Sequence, residues 1–183
     1  MYISSSGNLD IITNITIRAD KRFIANTLSA STYRTLSQDF IGSTKALFTS
    51  INGLGDDDVR LSKRRSLSSK KLRGFEKGKV GPTDGNDHIG GNYAASLNFD
   101  VNLPNFLPEN SGADIGFFLD FGNVWGVDYD STIDDSNKIR SSTGVLMNWN
   151  SPLGPMNFIL ATNLSKASTD ITESFNFNLG TTF

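Results

Sequence analysis

The sequence predicts an all-β protein, an antiparallel transmembrane β-barrel segment of about eight strands. Apolar and polar residues alternate with a period of two along several segments, so each predicted strand has one apolar face and one polar face. The predicted strands are roughly 9–12 residues long, which is the length of a strand that crosses a membrane at a tilt. The chain ends on an alternating aromatic segment, from Phe175 to Phe183, which we expect a sheet or a bilayer to hold in place.

The composition is compatible with this fold class. Hydrophobic residues make up 37% of the chain and the mean hydropathy is -0.25, values that a barrel shares with soluble proteins because half of each strand faces water. The net charge of -2 predicts no attraction to nucleic acid. The chain has no cysteine, which suits passage through an oxidising periplasm. No apolar run reaches the ~18 residues of a membrane-spanning helix.

The first three strands are predicted in the N-terminal third of the chain. The first lies around residues 9–18, where apolar and polar residues alternate. Its apolar members are Leu9, Ile11, Ile15 and Ile17. Residues 22–34 and 40–52 form two further strands with weaker alternation.

Five clearer strands follow in the second half of the chain. Alternation runs through residues 92–103, 115–122, 142–149, 156–163 and 175–183. The polar faces are rich in Asn, Ser, Thr and Gly, which suits a confined, wet lumen, and Phe and Tyr lie near strand ends, as interfacial girdles do. A soluble antiparallel sandwich also alternates, and it is the structural alternative.

The connections between the predicted strands differ in length. Residues 151–155 form a tight turn, whose prolines cannot donate to a strand ladder. The 104–113 turn contains two prolines, and the 126–138 loop is acidic and polar. The longest irregular segment is an inserted loop at about 53–91, which we expect to be functional or disordered because of its length.

Sequence patterns for catalysis or metal binding are missing. His88 is the only histidine and the chain has no cysteine, which excludes a histidine cluster and a thiolate site. There is no G-x-S-x-G nucleophile motif, and residues 84–87 lack calcium-loop spacing and are predicted to form a turn. The basic stretch from Arg60 to Arg73 has no interleaved aromatics and is predicted to be a solvated loop. We therefore expect no enzyme activity, no cofactor and no metal.

Asp120 is the candidate that needs a partner. It lies on the polar face of a predicted strand, between Phe118 and Gly122. A buried carboxylate without a partner is costly. Arg73, in the inserted loop, is the candidate cation.

Four segments together resemble the BamA/TamA outer-membrane assembly family. Leu72-Arg73-Gly74-Phe75 is similar to the family's VRGF/Y loop motif, and Phe118-Leu119-Asp120-Phe121-Gly122-Asn123-Val124-Trp125 to its F-x-D-x-G-N-x-W strand. The segment from Arg140 to Gly144, continued by Ser151-Pro152-Leu153-Gly154-Pro155, resembles the family's R-x-S-x-G … S-P-x-G-P pattern. The segment Phe175–Phe183 resembles its terminal F-x-F-x-x-G-x-x-F signal.

The resemblance implies that residues 1–183 are the C-terminal half of a larger outer-membrane barrel domain in a Gram-negative bacterium. The N-terminus has no basic n-region or apolar h-region, so we expect the chain to be the C-terminal part of a longer protein. The family's role is to help fold and insert other β-barrel proteins, without bond chemistry. The implied partners are outer-membrane lipid, unfolded β-barrel clients and accessory assembly lipoproteins. The alternatives are a two-partner secretion translocator, a passive pore, or a soluble sandwich that acts as a binding module.

The resemblance also implies roles for named residues. Arg73 is expected to enter the lumen and pair with Asp120. The first and last strands are expected to pair weakly at a seam that accepts a client strand by β-augmentation. The last strand contributes Phe175, Phe177, Leu179 and Gly180, and Gly180 weakens the seam because glycine packs nothing. Phe183 is expected to anchor at the membrane interface and to serve as the signal for the barrel's own assembly.

Overall fold

One antiparallel sheet of eight strands dominates the structure, a computed structural model that describes residues 9–18, 23–37, 40–55, 57–104, 106–130, 132–133, 138–152 and 154–180. The strands are β1 (Leu9–Arg18), β2 (Phe23–Ser37), β3 (Phe40–Gly53), β4 (Thr83–Asp84), β5 (Asp87–His88), β6 (Tyr93–Leu103), β7 (Ala113–Trp125), β8 (Arg140–Ser151), β9 (Gly154–Ser165) and β10 (Phe175–Leu179). The large sheet has the order β1-β2-β3-β6-β7-β8-β9-β10, and β4 and β5 form a separate hairpin.

Each strand of the large sheet pairs with the next one along the chain, so the sheet is a meander. The register shifts only between Thr35 and Ser37 and between Ser141 and Ser142 among the pairs that the structure describes. The prediction of an all-β antiparallel fold with about eight strands is confirmed. No helix in the described ranges has the length and apolar character needed to cross a membrane.

The described part of the last strand, β10, ends at Leu179, whereas the sequence predicted a strand that reaches Phe183. Gly180 donates one backbone hydrogen bond to the carbonyl of Pro155, at 2.8 Å. Pro155 has no N–H to return, so this pair of residues is joined by a single backbone hydrogen bond. Residues 181–183 lie outside the described part of the chain.

The faces of the sheet have the polarity of a membrane barrel. On β6, the polar residues Ser96, Asn98 and Asp100 are buried, while Leu97 and Phe99 are exposed. On β7, Asp120 is 0% exposed and Phe117 is 52% exposed. A soluble sandwich requires the opposite arrangement, with apolar faces packed against a second sheet. Within the described residues the only other sheet is the β4–β5 hairpin, so the sandwich alternative is wrong.

The connections fall at two ends of the sheet. One end, the long-loop end, carries residues 54–92, 126–139 and 166–174, together with the short link between β1 and β2. The opposite end, the short-turn end, carries the β2–β3, β6–β7 and β8–β9 turns, of which the 104–112 turn is the longest. Long loops on one side and short turns on the other are typical of outer-membrane barrels.

The inserted loop, residues 54–92, folds back onto the polar face of the sheet, which we call the inner face. It contains the β4–β5 hairpin and a short 3-10 helix, Leu61–Lys63. Its apolar side chains form a buried cluster with two sheet residues; the members are Leu67, Leu72, Phe75, Val80, Ala94 and Val124. The expectation of a wet, polar lumen is therefore wrong near the long-loop end, where this cluster and a second one around Ile51 are dry.

Candidate functional site

The centre of the candidate site is the ion pair between Arg73 of the inserted loop and Asp120 of β7. Arg73 Nε donates to Asp120 Oδ2 at 2.7 Å and Nη2 donates to Oδ1 at 2.6 Å. The backbone N–H of Arg73 donates to Oδ2 at 3.0 Å. Asn98 Nδ2 adds a fourth bond, to Oδ1 at 2.8 Å. The contact that the sequence predicted is present, in the bidentate geometry that makes arginine–carboxylate pairs strong.

A second carboxylate, which the sequence analysis did not assign, completes the charge balance. Arg73 Nη1 lies 2.6 Å from Asp100 Oδ1 in a second ion pair. Asp100 also accepts a hydrogen bond from Ser43 Oγ at 3.3 Å, and Lys45 Nζ lies 3.6 Å from its Oδ2. Two cations thus face two carboxylates, which reduces the cost of burying each charge.

Phe118 lies directly beneath the guanidinium group. The Cζ atom of Arg73 is 4.0 Å from the centroid of the Phe118 ring. The ring is held in a buried cluster with Leu146 and Ile159 on the inner face. A cation over a desolvated ring face is attracted to it, so Phe118 stabilises the guanidinium through its face while the carboxylates bind its nitrogen atoms.

The backbone of the loop is fixed by the next two strands. Ser142 Oγ donates to the carbonyl of Arg73, and Asn163 Nδ2 donates to the carbonyl of Gly74 at 2.8 Å. Asn98, Asp120, Ser142 and Asn163 occupy directly paired positions on β6, β7, β8 and β9. Because paired residues share a face, one cross-strand row binds both Arg73 and Gly74.

Gly74 is required by backbone conformation and by space. Its φ is +84°, and a Cβ atom there would lie 3.1 Å from Ala161 Cβ and 3.2 Å from Asn163 Nδ2. Glycine adopts positive φ without a steric penalty. The glycine therefore lets the loop approach β8 and β9 closely enough to form the hydrogen bonds of the cross-strand row.

The two apolar residues of the loop motif anchor it. Leu72 and Phe75 are each 1% exposed and belong to the buried loop cluster. Gly122 of β7 leaves room for this cluster, because a Cβ there would lie 2.9 Å from Leu67 Cδ1 and 3.3 Å from Leu72 Cδ1. The motif thus places its ion-pairing arginine and its close-approach glycine between two hydrophobic anchors.

Arg73 keeps its charge in this environment. Burial by itself lowers the pKa of Arg73, but the hydrogen bonds and the attraction of Asp120 and Asp100 outweigh it, so the pKa is raised above its ordinary value. The guanidinium is therefore ionised at every physiological pH.

A second buried ion pair links β8 to the β9–β10 connection. Arg140 Nε and Nη2 donate to the two carboxylate oxygens of Asp170, each at 3.0 Å, and both side chains are buried. Arg140 Nη1 also donates to Asn123 Oδ1 and to the carbonyl of Lys138. The sequence identified Arg140 only as the start of a motif and missed Asp170, because nothing in the spacing links a residue of β8 to one of the β9–β10 connection.

The basic stretch from Arg60 to Arg73 is solvated as predicted at three basic positions and is buried at Arg64 and Arg73. Arg60, Lys63 and Lys70 are exposed, as expected of a solvated loop. The Arg64 side chain is only 1% exposed and forms an ion pair with Asp128, so the expectation is wrong there. Burial raises the pKa of Asp128, but hydrogen bonds from the backbone of Val59, from Asn92 and from Arg64 outweigh it, and the pKa is lowered.

The turn motif lies at the short-turn end, away from Arg73. Ser151 pairs with Gly154 across the turn, and its Oγ donates to the Gly154 carbonyl at 2.8 Å. Pro152 lies in the turn and Pro155 is the second residue of β9. Gly154 has a φ of +117°, which only glycine adopts readily. These residues therefore shape a connection rather than join the Arg73 site.

The last strand presents its aromatic residues outward. Phe175, Phe177 and Leu179 are exposed, and Phe177 packs against Phe158 of β9 with ring centroids 5.0 Å apart. Gly180 follows the strand. The predicted role of Phe183 falls outside the described residues.

The described residues contain no group of three or more His, Asp, Glu or Cys side chains placed to hold a metal ion. The one histidine, His88, has its Nε2 atom 2.9 Å from the carbonyl of Thr169, so it takes part in a loop contact.

Comparison with known proteins points to one family. A model of the Omp85 superfamily domain matches residues 5–183. The outer membrane protein assembly factor BamA of Neorickettsia risticii is 30% identical over 136 residues, which cover 73% of this chain and 18% of the relative. BamA of Neisseria meningitidis serogroup B is 31% identical over 141 residues, covering 61% of this chain and 17% of the relative. The chain therefore spans less than a fifth of the length of these relatives.

The fold has a solved counterpart. The crystal structure of BamA from Haemophilus ducreyi lacking POTRA domains 1-3 superposes with a TM-score of 0.81 at 24% identity. The match covers 94% of this chain and 38% of that one. This likeness confirms the predicted β-barrel fold, with this chain as a segment of a larger barrel.

Proposed function

The chain belongs to the Omp85 superfamily and lies in the outer membrane of a Gram-negative bacterium, and from this premise we propose that it is part of an outer-membrane protein assembly factor. In this role the barrel helps other β-barrel proteins fold and insert, through a lateral seam and without bond chemistry. The names of the two relatives, both assembly factors, support the proposal.

The observation that carries the proposal is that β10 is an edge strand beside four strands that the Arg73 site joins together. We call these four strands, β6 to β9, the wall. Strands β6 to β9 are bound together by the Arg73 site, and β8 pairs with β9 from Ser141 to Ser151. Among the residues that the structure describes, β10 pairs with β9 from Phe175 to Leu179. An edge strand beside strands that are joined in this way is suited to β-augmentation, in which a client strand adds its backbone hydrogen bonds to an exposed edge.

The proposed partners follow from the two faces and the edge. The exposed apolar face, with Phe99, Phe117 and Phe177, would contact outer-membrane lipid. Unfolded β-barrel clients would pair at the edge of β10. Accessory assembly lipoproteins are proposed on the family resemblance alone.

The residues of the candidate site have distinct proposed roles. Arg73 and Asp120, with Phe118 and Gly122, would hold the inserted loop against the wall. The last strand would form the seam, which Gly180 would weaken. Phe183 would provide the membrane-interface anchor and the signal for the barrel's own assembly.

One observation favours a passive pore as the rival function. A polar cavity of about 360 Å³ lies beside Arg73, and its lining includes Lys45, Asn148 and Asn157. The cavity would have to continue past the inserted loop to conduct, and the Arg73 site holds that loop in place. We therefore rank the pore, and the related two-partner secretion translocator, second.

Reconstitution of the full-length protein into lipid vesicles tests the proposal. Added unfolded β-barrel clients of different sequence should become folded and protease-resistant faster than in protein-free vesicles. Transport of one secreted partner, or ion conductance without client folding, would instead identify a translocator or a pore. The Arg73→Ala and Arg60→Ala variants form a matched pair, because only Arg73 is buried in the site.

A further inference from the structure

The connection between β9 and β10, residues 166–174, leaves the sheet and lies on the inserted loop. Phe75 and Thr172 form an antiparallel bridge. The N–H of Glu76 donates to the carbonyl of Ile171 at 3.0 Å, and the N–H of Ile171 donates to the carbonyl of Lys79 at 3.1 Å. These contacts stand immediately before β10 begins, so the entry to the last strand is part of a second, small pairing with the loop.

The same connection is fixed to the wall by a buried ion pair. Asp170 accepts two hydrogen bonds from Arg140 of β8, and its Oδ2 also accepts one from the N–H of Ala167, at 2.6 Å. Arg140 reaches β7 through Asn123. Because Asp170 binds both Arg140 of β8 and Ala167 of its own connection, it fixes the path by which the chain enters β10.

The loop that receives this connection is itself immobilised. Arg73 is bound to Asp120, Gly74 is bound to Asn163, and Phe75 is 1% exposed. The N–H of Glu173 donates to the carbonyl of Gly74 at 3.0 Å, which joins the connection directly to the motif. The start of β10 is therefore attached to a rigid part of the molecule.

The other end of β10 is described as far as Gly180, and residues 181–183 lie outside the described part of the chain. Leu179 pairs with Met156, and Gly180 donates one hydrogen bond to Pro155, which cannot return one. Residues 175–179 carry no side-chain bond to the inserted loop among those found in the described residues; Asn178 donates to Asn176, which donates to Glu173. Among the described residues, the contacts that join the last strand to the inserted loop therefore lie at its long-loop end.

We propose that residues 166–174 are a tether that holds the long-loop end of β10 to the inserted loop, with Arg140 and Asp170 as positioning residues. A client strand that pairs with β10 at the seam then meets a long-loop end whose position the tether fixes. The tether stands on these contacts alone, whereas its effect on clients rests on the proposed function.

Hydrogen exchange in the full-length protein, reconstituted in lipid, tests the tether. In the wild type, amides of residues 171–175 should exchange more slowly than those of 177–180. Asp170→Asn keeps the side-chain shape but removes the charge, and it should speed exchange at 171–175 by roughly tenfold while leaving 145–149 of β8 unchanged. Asp128→Asn is the matched control, because it removes the carboxylate partner of Arg64 in another loop, and it should leave β10 unchanged.

A disulfide separates positioning from general stability. Glu76 and Ile171 are the next opposed positions after the Phe75–Thr172 bridge, both are exposed, and the chain has no cysteine of its own. Opposed residues of antiparallel segments lie about 4.5–5.5 Å apart at Cα, which a disulfide spans. In the Asp170→Asn background, an oxidised Glu76→Cys/Ile171→Cys pair should restore slow exchange at 171–175, and its reduced form should not.

A hairpin disulfide, Asp84→Cys/Asp87→Cys, links two paired positions inside the loop and should not restore protection. The tether is overturned if the wild-type gradient is absent or reversed, if Asp170→Asn changes exchange at 171–175 less than about twofold, or if the hairpin disulfide restores protection equally well. Client folding is measured on the same samples. If the exchange gradient and the disulfide rescue are observed but clients do not fold, the tether stands and the proposed function is wrong. If clients fold but the gradient and the rescue are absent, the proposed function stands and the tether is wrong.

Discussion

The Asp120 carboxylate binds both the side chain and the backbone of Arg73. The guanidinium donates to it at 2.6 and 2.7 Å, and the backbone N–H of Arg73 donates at 3.0 Å. The carboxylate is 0% exposed. The Asp120 side chain of β7 therefore fixes both the side chain and the backbone of the inserted loop at Arg73. Asp100 and Phe118 hold the remaining parts of the guanidinium.

The first prediction concerns the coupling of this pair. Arg73→Ala leaves the Asp120 carboxylate buried with Asn98 as its side-chain donor, and it should lower the free energy of unfolding by about 3–5 kcal/mol. Asp120→Ala should cost a similar amount. The double variant should cost less than the sum of the two single variants, because the second substitution removes a charge that has already lost its partner.

Urea unfolding of the full-length protein in lipid vesicles measures these three values. Arg60→Ala, at an exposed arginine in the same loop, controls for loss of charge. If the losses simply add, the two residues are not coupled.

The second prediction concerns Gly74. Gly74→Ala forces an alanine to a φ of +84° and places its Cβ 3.1 Å from Ala161 Cβ. Gly78 has a similar φ of +72° with nothing within 4 Å of a Cβ, so Gly78→Ala carries only the backbone strain. Gly74→Ala should therefore destabilise the fold by more than Gly78→Ala, which we expect to cost about 1–2 kcal/mol. Equal thermal unfolding midpoints for the two variants would show that close approach at Gly74 is unimportant.

The third prediction concerns acid. The pKa of Asp128 is lowered in the folded protein by hydrogen bonds from Val59, Asn92 and Arg64, against the opposing effect of burial. Its contribution to stability is therefore present above the unfolded value of about 3.9 and is lost as the pH falls through the lower folded pKa. The contact between Arg64 and Asp128 should therefore loosen only at a pH below that unfolded value.

The chemical shift of the Val59 amide, whose N–H donates to Asp128 at 2.8 Å, reports this loosening in an NMR titration. Asp128→Asn should remove the titration step. A step of unchanged midpoint in that variant would assign it to another group.

The fourth prediction concerns Phe183, which we expect to act as the anchor and the assembly signal. Phe183→Ser should lower the amount of assembled protein in the outer membrane, because it removes the aromatic residue from the end of the chain. Phe106→Ser, at an exposed phenylalanine of the β6–β7 turn, controls for loss of an aromatic side chain. Unchanged levels of the Phe183→Ser variant would contradict the role.

The period of two was enough to predict the strands, their two faces and the inner-face position of the carboxylate of Asp120. It could not predict which loop residues reach each position of the inner face, since that depends on the path of residues 54–92. For that reason Arg73 was found through Asp120 and a family motif, while Asp100 and the Arg140–Asp170 pair were missed. The dry clusters around Phe75 and Ile51 were missed for the same reason.

The end of β10 illustrates another limit of pattern reading. Alternation continues beyond Leu179 in the sequence, but the strand depends on what its neighbour can donate. Pro155, which lies on β9 opposite Gly180, has no N–H to donate to it. Placing Pro155 opposite Gly180 requires the register between β9 and β10, which cannot be deduced from the sequence of one segment alone.

The central claim is that lipid contacts the apolar face of this sheet while the polar face binds the inserted loop. Single spin labels placed in turn at residues 96–101 of β6, in the full-length protein reconstituted in lipid, measure it most directly through their accessibility to oxygen, which partitions into lipid. The account predicts maxima at Leu97, Phe99 and Val101 and minima at Ser96, Asn98 and Asp100, the side chains of the inner face. Maxima at the even-numbered positions, or low accessibility at all six, would contradict it.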